Sequence, residues 1–306
     1  MSSLCMVVFL RSCSAKVLQN LRVCKKKSNF ARFERYIYYF YCMRKTVFSV
    51  LLLAMVGLLC SSAGKRPVTL FMVGDSTMAD KEELDISPER GWGQLFPTYL
   101  TGNIVVENHA RNGRSTKSFI AQGRWAEVMN RVKKGDIVLI QFGHNDAKQS
   151  DPERYTPIAD YEKNLMQMIS EAQKKKAHVI LCTPISRRYF KDGVFYPRHG
   201  GYPEAARRVA KRMNVPLLDM ERSTAEWLTN LGDEQSKQYF MNVAAGECLK
   251  YPEGKTDNTH LREAGALEVG RQAAEQLKAL DLKWISKYIT LDSKEAVYTT
   301  PCGVHY

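Results

Sequence analysis

The stretch "LFMVGDSTMAD", Leu70 to Asp80, is the key to the fold. Four apolar residues, Leu70 to Val73, run without a polar break into Gly74-Asp75-Ser76-Thr77. A short continuous apolar run bounded by turn residues marks a strand buried on both faces, because a half-exposed strand would alternate. Two readings of its end compete. Either Gly-Asp-Ser is a plain turn, or Ser76 is a nucleophile displayed at the mouth of a parallel sheet.

Four further runs share this character: "IVVEN" (104–108), "DIVLIQF" (136–142), "HVILCTP" (178–184) and "VPLLD" (215–219). With "VTLFMV" (68–73) they alternate with amphipathic helical patterns at 124–133, 161–175, 203–213 and 263–280. Strands separated by helices pair in parallel, and the helices cover both faces of the sheet. The expected fold class is α/β: a three-layer α/β/α sandwich around a five-stranded parallel sheet, doubly wound and flavodoxin-like.

Chemistry in such sheets collects outside the carboxyl ends of the strands. The first strand is followed by Gly74-Asp75-Ser76-Thr77, the second by a loop holding Asn112-Gly113-Arg114, and the third by Gly143-His144-Asn145-Asp146. The fourth is followed by Thr183 to Arg188, and "DNTH", Asp257 to His260, stands just before the last helix. Each of these alone is ordinary turn chemistry. A serine, a histidine with a nearby carboxylate and small polar donors converging on one crevice favour the nucleophile.

The formal charge of +13 points to nucleic acid until its distribution is read. Residues 1–63 carry ten Lys/Arg against Glu34 alone, a net of +9, which leaves +4 for the rest. No nucleic-acid partner is expected. Met43 opens "MRKTVFSVLLLAMVGLLCSSAGK", with Arg44 and Lys45 as a positive n-region and an apolar segment at 47–59 too short to span. Ser61-Ser62-Ala63 supplies a small-residue cleavage site. The expected organisation is an extension over 1–42 foreign to the protein, a signal peptide over 43–63, a folded domain over 64–283 and a tail over 284–306. Leu59 is too bulky for a good lipidation box at Cys60. A secreted or periplasmic protein with no membrane span in its mature form follows.

Five of the eight cysteines fall in the leader; Cys182, Cys248 and Cys302 remain. That leaves room for one Cys248–Cys302 bond or for three free thiols. No Cys/His spacing resembles a zinc site.

The chain resembles the SGNH/GDSL hydrolases in four blocks, in order. They are Gly-Asp-Ser around Ser76, the glycine at Gly113, Gly-x-Asn-Asp at 143–146 and Asp-x-x-His at 257–260. Longer strings, among them "GWGQLFPTYL", "NGRSTKSFIAQGRW", "HGGYPEAARRVA" and "DNTHLREAGA", are similar to the rhamnogalacturonan acetylesterases, carbohydrate esterase family 12. This similarity runs from about Pro67 to Leu280.

The resemblance implies a serine esterase that needs no cofactor and no metal and acts as a monomer. Ser76 would be the nucleophile, and a serine hydroxyl needs a base to take its proton. His260 would be that base; an unperturbed imidazole titrates near ~6.5 and both takes and returns a proton near neutrality. Asp257, three residues earlier on the same turn, would fix its tautomer. The N–H groups of Ser76 and Gly113 and the side-chain amide of Asn145 would form the oxyanion hole. Ser76 is expected at a strand-to-helix junction, facing a helix start. His144 has no separate role in this scheme.

Arg111, Arg114, Arg187 and Arg188 all follow strand ends, and arginines grip carboxylates bidentately. His199 and Tyr202 are candidates to touch sugar from above the crevice. Trp92 and Trp125 are assigned to the core. The expected partner is an acetylated acidic polysaccharide or oligosaccharide. Acetylated xylan, other glycans and lipids are the alternatives within the same chemistry. A non-catalytic carbohydrate-binding protein is the alternative outside it.

Overall fold

The computed structural model describes residues 36–49 and 66–292. The chain divides into two units, Met1–Arg66 and Pro67–Tyr306. In the first, residues 36–49 are helical. Most of the export signal expected at 43–63, with Cys60, lies outside the described residues, as does Cys302. Among the described residues no helix is long and apolar enough to cross a membrane.

The second unit is built on a parallel five-stranded sheet of β1 (Val68–Gly74), β3 (Ile104–Asn108), β4 (Ile137–Gln141), β5 (His178–Cys182) and β8 (Leu217–Leu218), in the order β3-β1-β4-β5-β8. Side chains of a strand alternate between its faces, and the core divides accordingly. Phe71, Val73, Val138, Ile140, Val179 and Leu181 face one layer. There they meet α2 (Thr116–Ala121), α3 (Arg124–Arg131), α4 (Ile158–Lys174) and α5 (Tyr202–Met213). Leu70, Met72, Ile137, Leu139, Ile180 and Cys182 face the other, where α1 (Trp92–Leu95), α6 (Met220–Ser236) and α7 (Glu263–Ala279) pack. Two covered faces thus require apolar residues at successive positions in the central strands, and the chain has the α/β/α sandwich expected of it.

Three features differ from the sequence reading. A second sheet, antiparallel, joins β2 (Glu89–Arg90), β10 (Lys255–Arg262) and β9 (Phe240–Val243) in the order β2-β10-β9. β2 has two residues, β9 is mostly apolar but has only four, and β10 is long but mostly polar, so none carries a long apolar run to announce it. Helix α6 was not foreseen either; it breaks at Gly232 (φ 73°, ψ 178°), which interrupts its periodicity. The packed body also continues beyond 283. Ile285 is fully buried, and Leu100 forms a bridge with Ile289. A hairpin of β6 (Phe190–Lys191) and β7 (Val194–Phe195) turns through Asp192 and Gly193, both at positive φ, as two-residue hairpin loops require.

Candidate active site

Gly74 closes β1, and the chain turns at once. The carbonyl of Asp75 accepts from the N–H of Met78 (3.2 Å) and of Ala79 (3.1 Å), while Asp75 Oδ1 accepts from the N–H and hydroxyl of Thr77. Gly-Asp-Ser-Thr is therefore a self-bonded turn. No helix follows it until Trp92, so the expected helix start at Ser76 is replaced by this turn. Glycine is required nearby at Gly91, where a Cβ would lie 2.1 Å from the carbonyl of Ala79.

Asp257 and His260 lie on strand β10, where the sequence reading had put a turn before the last helix. The strand is irregular at that point. Asp257 pairs with Met241 and Leu261 with Phe240, so Asn258, Thr259 and His260 stand out of the ladder. Asp257 Oδ1 accepts from the N–H of Thr259 (2.9 Å) and of His260 (3.0 Å), which folds the bulge around the carboxylate. The bulge returns His260 to the side of its own strand that Asp257 faces. His260 Nδ1 stands 2.8 Å from Asp257 Oδ2, and His260 Nε2 stands 2.8 Å from Ser76 Oγ.

Burial pushes the Asp257 carboxyl up, but the His260 ring and the two backbone N–H groups outweigh it, and its pKa is lowered. An ionised carboxylate only accepts, so Nδ1 carries the proton and Nε2 offers its lone pair to the Ser76 hydroxyl. That order of donors leads from hydroxyl to imidazole to carboxylate, the arrangement that makes a serine nucleophilic.

Ser76, Gly113, Asn145 and His260 line one cleft of about 940 Å³. Gly113 holds φ +74°, and a Cβ there would meet the Arg154 guanidinium carbon at 3.3 Å. Asn145 Nδ2 donates to the carbonyl of Arg114 (3.0 Å), which orients its amide beside this loop. The walls carry Lys148, Arg154, Arg187, Arg198, Lys250 and Lys255, with Glu89 as a counter-charge. Tyr189, under the Arg198 guanidinium at 4.3 Å, and Tyr251, under Lys255 at 4.5 Å, add two aromatic faces.

The other expected site residues separate. Arg187 lines the cleft, donates to the His144 carbonyl (3.0 Å) and reaches Thr259. Arg188 also borders it but is 5% exposed, paired with Asp233 and bonded to Ser236 and Asn258, so its guanidinium is spent on tying β10 to α6. Arg111 and Arg114 face a neighbouring cavity of about 310 Å³ that shares Glu89, Asn112 and Lys250 with the first. Tyr202 is buried, its hydroxyl donated to the carbonyls of Asp146 and Thr156, and it cannot reach a sugar. His199 is 2% exposed and packs edge-on against His144 at 4.4 Å. Both belong to the support behind the cleft, His199 against the His144 ring and Tyr202 against the carbonyls of the segment after β4. Trp92 and Trp125 are core residues as expected.

His144 proves more engaged than expected. Its Nδ1 lies 3.2 Å from Asp75 Oδ2, directly beneath the serine turn, and burial lowers its pKa despite that carboxylate. Lys81 was also missed. Its Nζ donates to the Ser76 carbonyl (2.7 Å) and to Asn112 Oδ1 (2.8 Å), and it pairs with Glu89 at 3.0 Å. Lys255, 3.0 Å from Asp257 Oδ2, was legible in principle, since residues two apart on a strand share a face.

Comparison with known proteins agrees with this architecture. The GDSL-like Lipase/Acylhydrolase family model matches residues 72–266. The chain is 36% identical to the rhamnogalacturonan acetylesterase RhgT of Bacillus subtilis, over 76% of this chain and 99% of that protein. It is 35% identical to the probable rhamnogalacturonan acetylesterase YesY of the same organism, over 70% and 94%. The crystal structure of Bacillus subtilis YxiM superposes with a TM-score of 0.60 at 26% identity, over 70% of this chain and 57% of that one. The chain belongs to the GDSL-like lipase/acylhydrolase (SGNH hydrolase) family and is a carboxylic ester hydrolase.

Proposed function

We propose that this protein removes acetyl groups from an acidic plant cell-wall polysaccharide of the rhamnogalacturonan type. The observation that carries the reading is the continuous series Ser76 Oγ–His260 Nε2 and His260 Nδ1–Asp257 Oδ2, both at 2.8 Å, on the floor of a basic cleft. Ser76 Oγ attacks the acetyl carbonyl as His260 takes its proton. The N–H groups of Ser76 and Gly113 and the Asn145 amide hold the oxyanion. Collapse expels the sugar oxygen, which His260 protonates, and leaves acetyl-Ser76. Water, deprotonated by His260, then attacks the acetyl carbon, and acetate leaves as Ser76 regains its proton. Asp257 stays ionised throughout and stabilises the imidazolium formed at each stage.

The walls of the cleft support this substrate class. A cleft with seven cationic side chains, one of them the paired Arg188, and one carboxylate attracts a uronate-bearing chain, and Tyr189 and Tyr251 offer faces to sugar rings. RhgT is named a rhamnogalacturonan acetylesterase and YesY a probable one, which supports this substrate. The polymer is outside the cell, so we further propose export, with cleavage near Ala63.

The test is acetate release by the full-length protein from acetylated rhamnogalacturonan, acetylated xylan and an aryl acetate, with Ser76→Ala beside it. Release from rhamnogalacturonan over xylan, lost in the variant, is the expected result. Activity on the aryl acetate alone would return the substrate to lipids or other glycans. No release from any of the three would favour a carbohydrate-binding role.

A further inference from the structure

Asp257 Oδ2 has two partners. His260 Nδ1 approaches at 2.8 Å and Lys255 Nζ at 3.0 Å. With the two backbone N–H groups on Oδ1, the carboxylate receives four donors and has no freedom to turn. Lys255 is itself held. Its ammonium donates to the Tyr251 hydroxyl at 3.2 Å and lies 4.0 Å from Glu89 Oε2. The other oxygen of Glu89 pairs with Lys81 at 3.0 Å, and Lys81 holds the Ser76 carbonyl. Alternating charges thus run Lys81, Glu89, Lys255, Asp257 and reach His260, while Lys81 returns the series to the serine turn. Glu89 and Lys81 are 13% and 9% exposed, so bulk water screens these contacts weakly.

We propose that Lys255 is a positioning residue of this site: braced by Glu89, its ammonium shares Asp257 Oδ2 with His260 and restrains both the tilt and the basicity of the imidazole. The inference rests on the Ser76–His260–Asp257 relay. When His260 takes the serine proton, Asp257 stabilises the cation. A second cation on the same oxygen weakens that stabilisation, and the Glu89 charge beside it partly restores it. The two charges thus set, in opposite senses, how strongly the carboxylate holds the imidazolium formed during attack. Among the described residues, the other charged or titratable groups beside this series are Asp75 and Lys81 in the turn after β1, His144 after β4, Arg187 after β5 and Lys250 ahead of β10. None of these is altered in the test.

The measurement is kcat/KM for an aryl acetate as a function of pH, using the full-length chain. Lys255→Met removes the cation and nearly keeps the stem; the midpoint of the acid limb is expected to rise by about 0.5–1 pH unit. Glu89→Gln removes the anion, and the midpoint is expected to fall. Lys255→Arg keeps the charge and is expected to hold the wild-type midpoint. A residue with a merely structural role would change stability or kcat without opposite shifts in the two neutralising variants. An unmoved midpoint in Lys255→Met, or a Glu89→Gln midpoint that does not fall, overturns the proposal while an inactive Ser76→Ala leaves the relay standing. Wild-type activity surviving in Ser76→Ala overturns both. If Lys255→Met does not fold, Glu89→Gln carries the test by itself.

Discussion

Ser76 is 8% exposed, and its hydroxyl sits between the imidazole of His260 and the open cleft. Replacing it by alanine removes one oxygen and no packing contact of consequence. We expect Ser76→Ala to lower aryl-acetate turnover by about 10⁴-fold or more with an unchanged melting temperature, read by spectrophotometric assay and thermal denaturation. Asn145→Ala removes one of the proposed oxyanion donors; the expected loss in kcat is about 10²–10³-fold with little change in KM. A comparable rise in KM instead would place Asn145 in ground-state binding. At this scale the sequence was most informative. The four blocks named Ser76, Gly113, Asn145, Asp257 and His260 because such chemistry tolerates few residue types. They were silent on Lys81, Glu89 and Lys255, since a lysine or glutamate in isolation reads as solvated surface.

At the scale of elements, Gln141 joins the main sheet to the serine turn. It ends β4, accepts from Trp92 Nε1 (2.9 Å) and donates to Thr77 Oγ1 (2.8 Å), and all three groups are buried. Gln141→Leu keeps the volume and strands the Trp92 N–H, while the Thr77 hydroxyl loses the Gln141 donor but keeps its own bond to Asp75 Oδ1. An unpaired buried polar group costs about 1–3 kcal/mol, so a loss of about that size is expected in urea denaturation. A cost below that would mean that water reaches the turn. The bulge in β10 is the second element that matters. It is invisible to periodicity, because Asp257 and His260 are three apart and a regular strand would send them to opposite faces. The Asx-type bonds of Asp257 are what bring them together.

At the scale of the molecule, the Asp146 carboxyl belongs to neither solvent nor site. It is fully buried under the start of α2, where Oδ1 accepts from the N–H (3.0 Å) and hydroxyl (2.6 Å) of Thr116. Burial pushes its pKa up to about 7 against those hydrogen bonds. A carboxyl whose folded pKa lies above its unfolded value loses stability as pH rises between the two, and the loss is complete above the folded pKa. Asp146→Asn should therefore gain on the wild type from about pH 4 to about 7, by at most about 1.4 kcal/mol per pH unit, and the gain should then level off. Denaturant midpoints of both proteins at acid, neutral and alkaline pH measure this; a pH-independent difference would refute it. The cationic cleft gives a second whole-molecule prediction. Raising ionic strength from about 0.01 to 0.15 M should depress kcat/KM on the acidic polymer and leave the aryl acetate nearly unaffected, because only the charged chain is steered.

The amino-acid order by itself determined the layer architecture and put forward the groups proposed to react. Buried parallel strands must be continuously apolar, and ester chemistry needs a hydroxyl, an imidazole and a carboxylate. It did not determine which polar groups meet. Ser76 and His260 are 184 residues apart, and their 2.8 Å separation depends on a small antiparallel sheet docking beside the large one. The same docking seats Glu89, from a two-residue strand, within reach of Lys81 and Lys255. It is packing, too, that buries His199 and Tyr202 behind the cleft and turns Arg188 into a structural tie. Long-range contacts between polar residues leave no local periodicity, so folding alone assigns them.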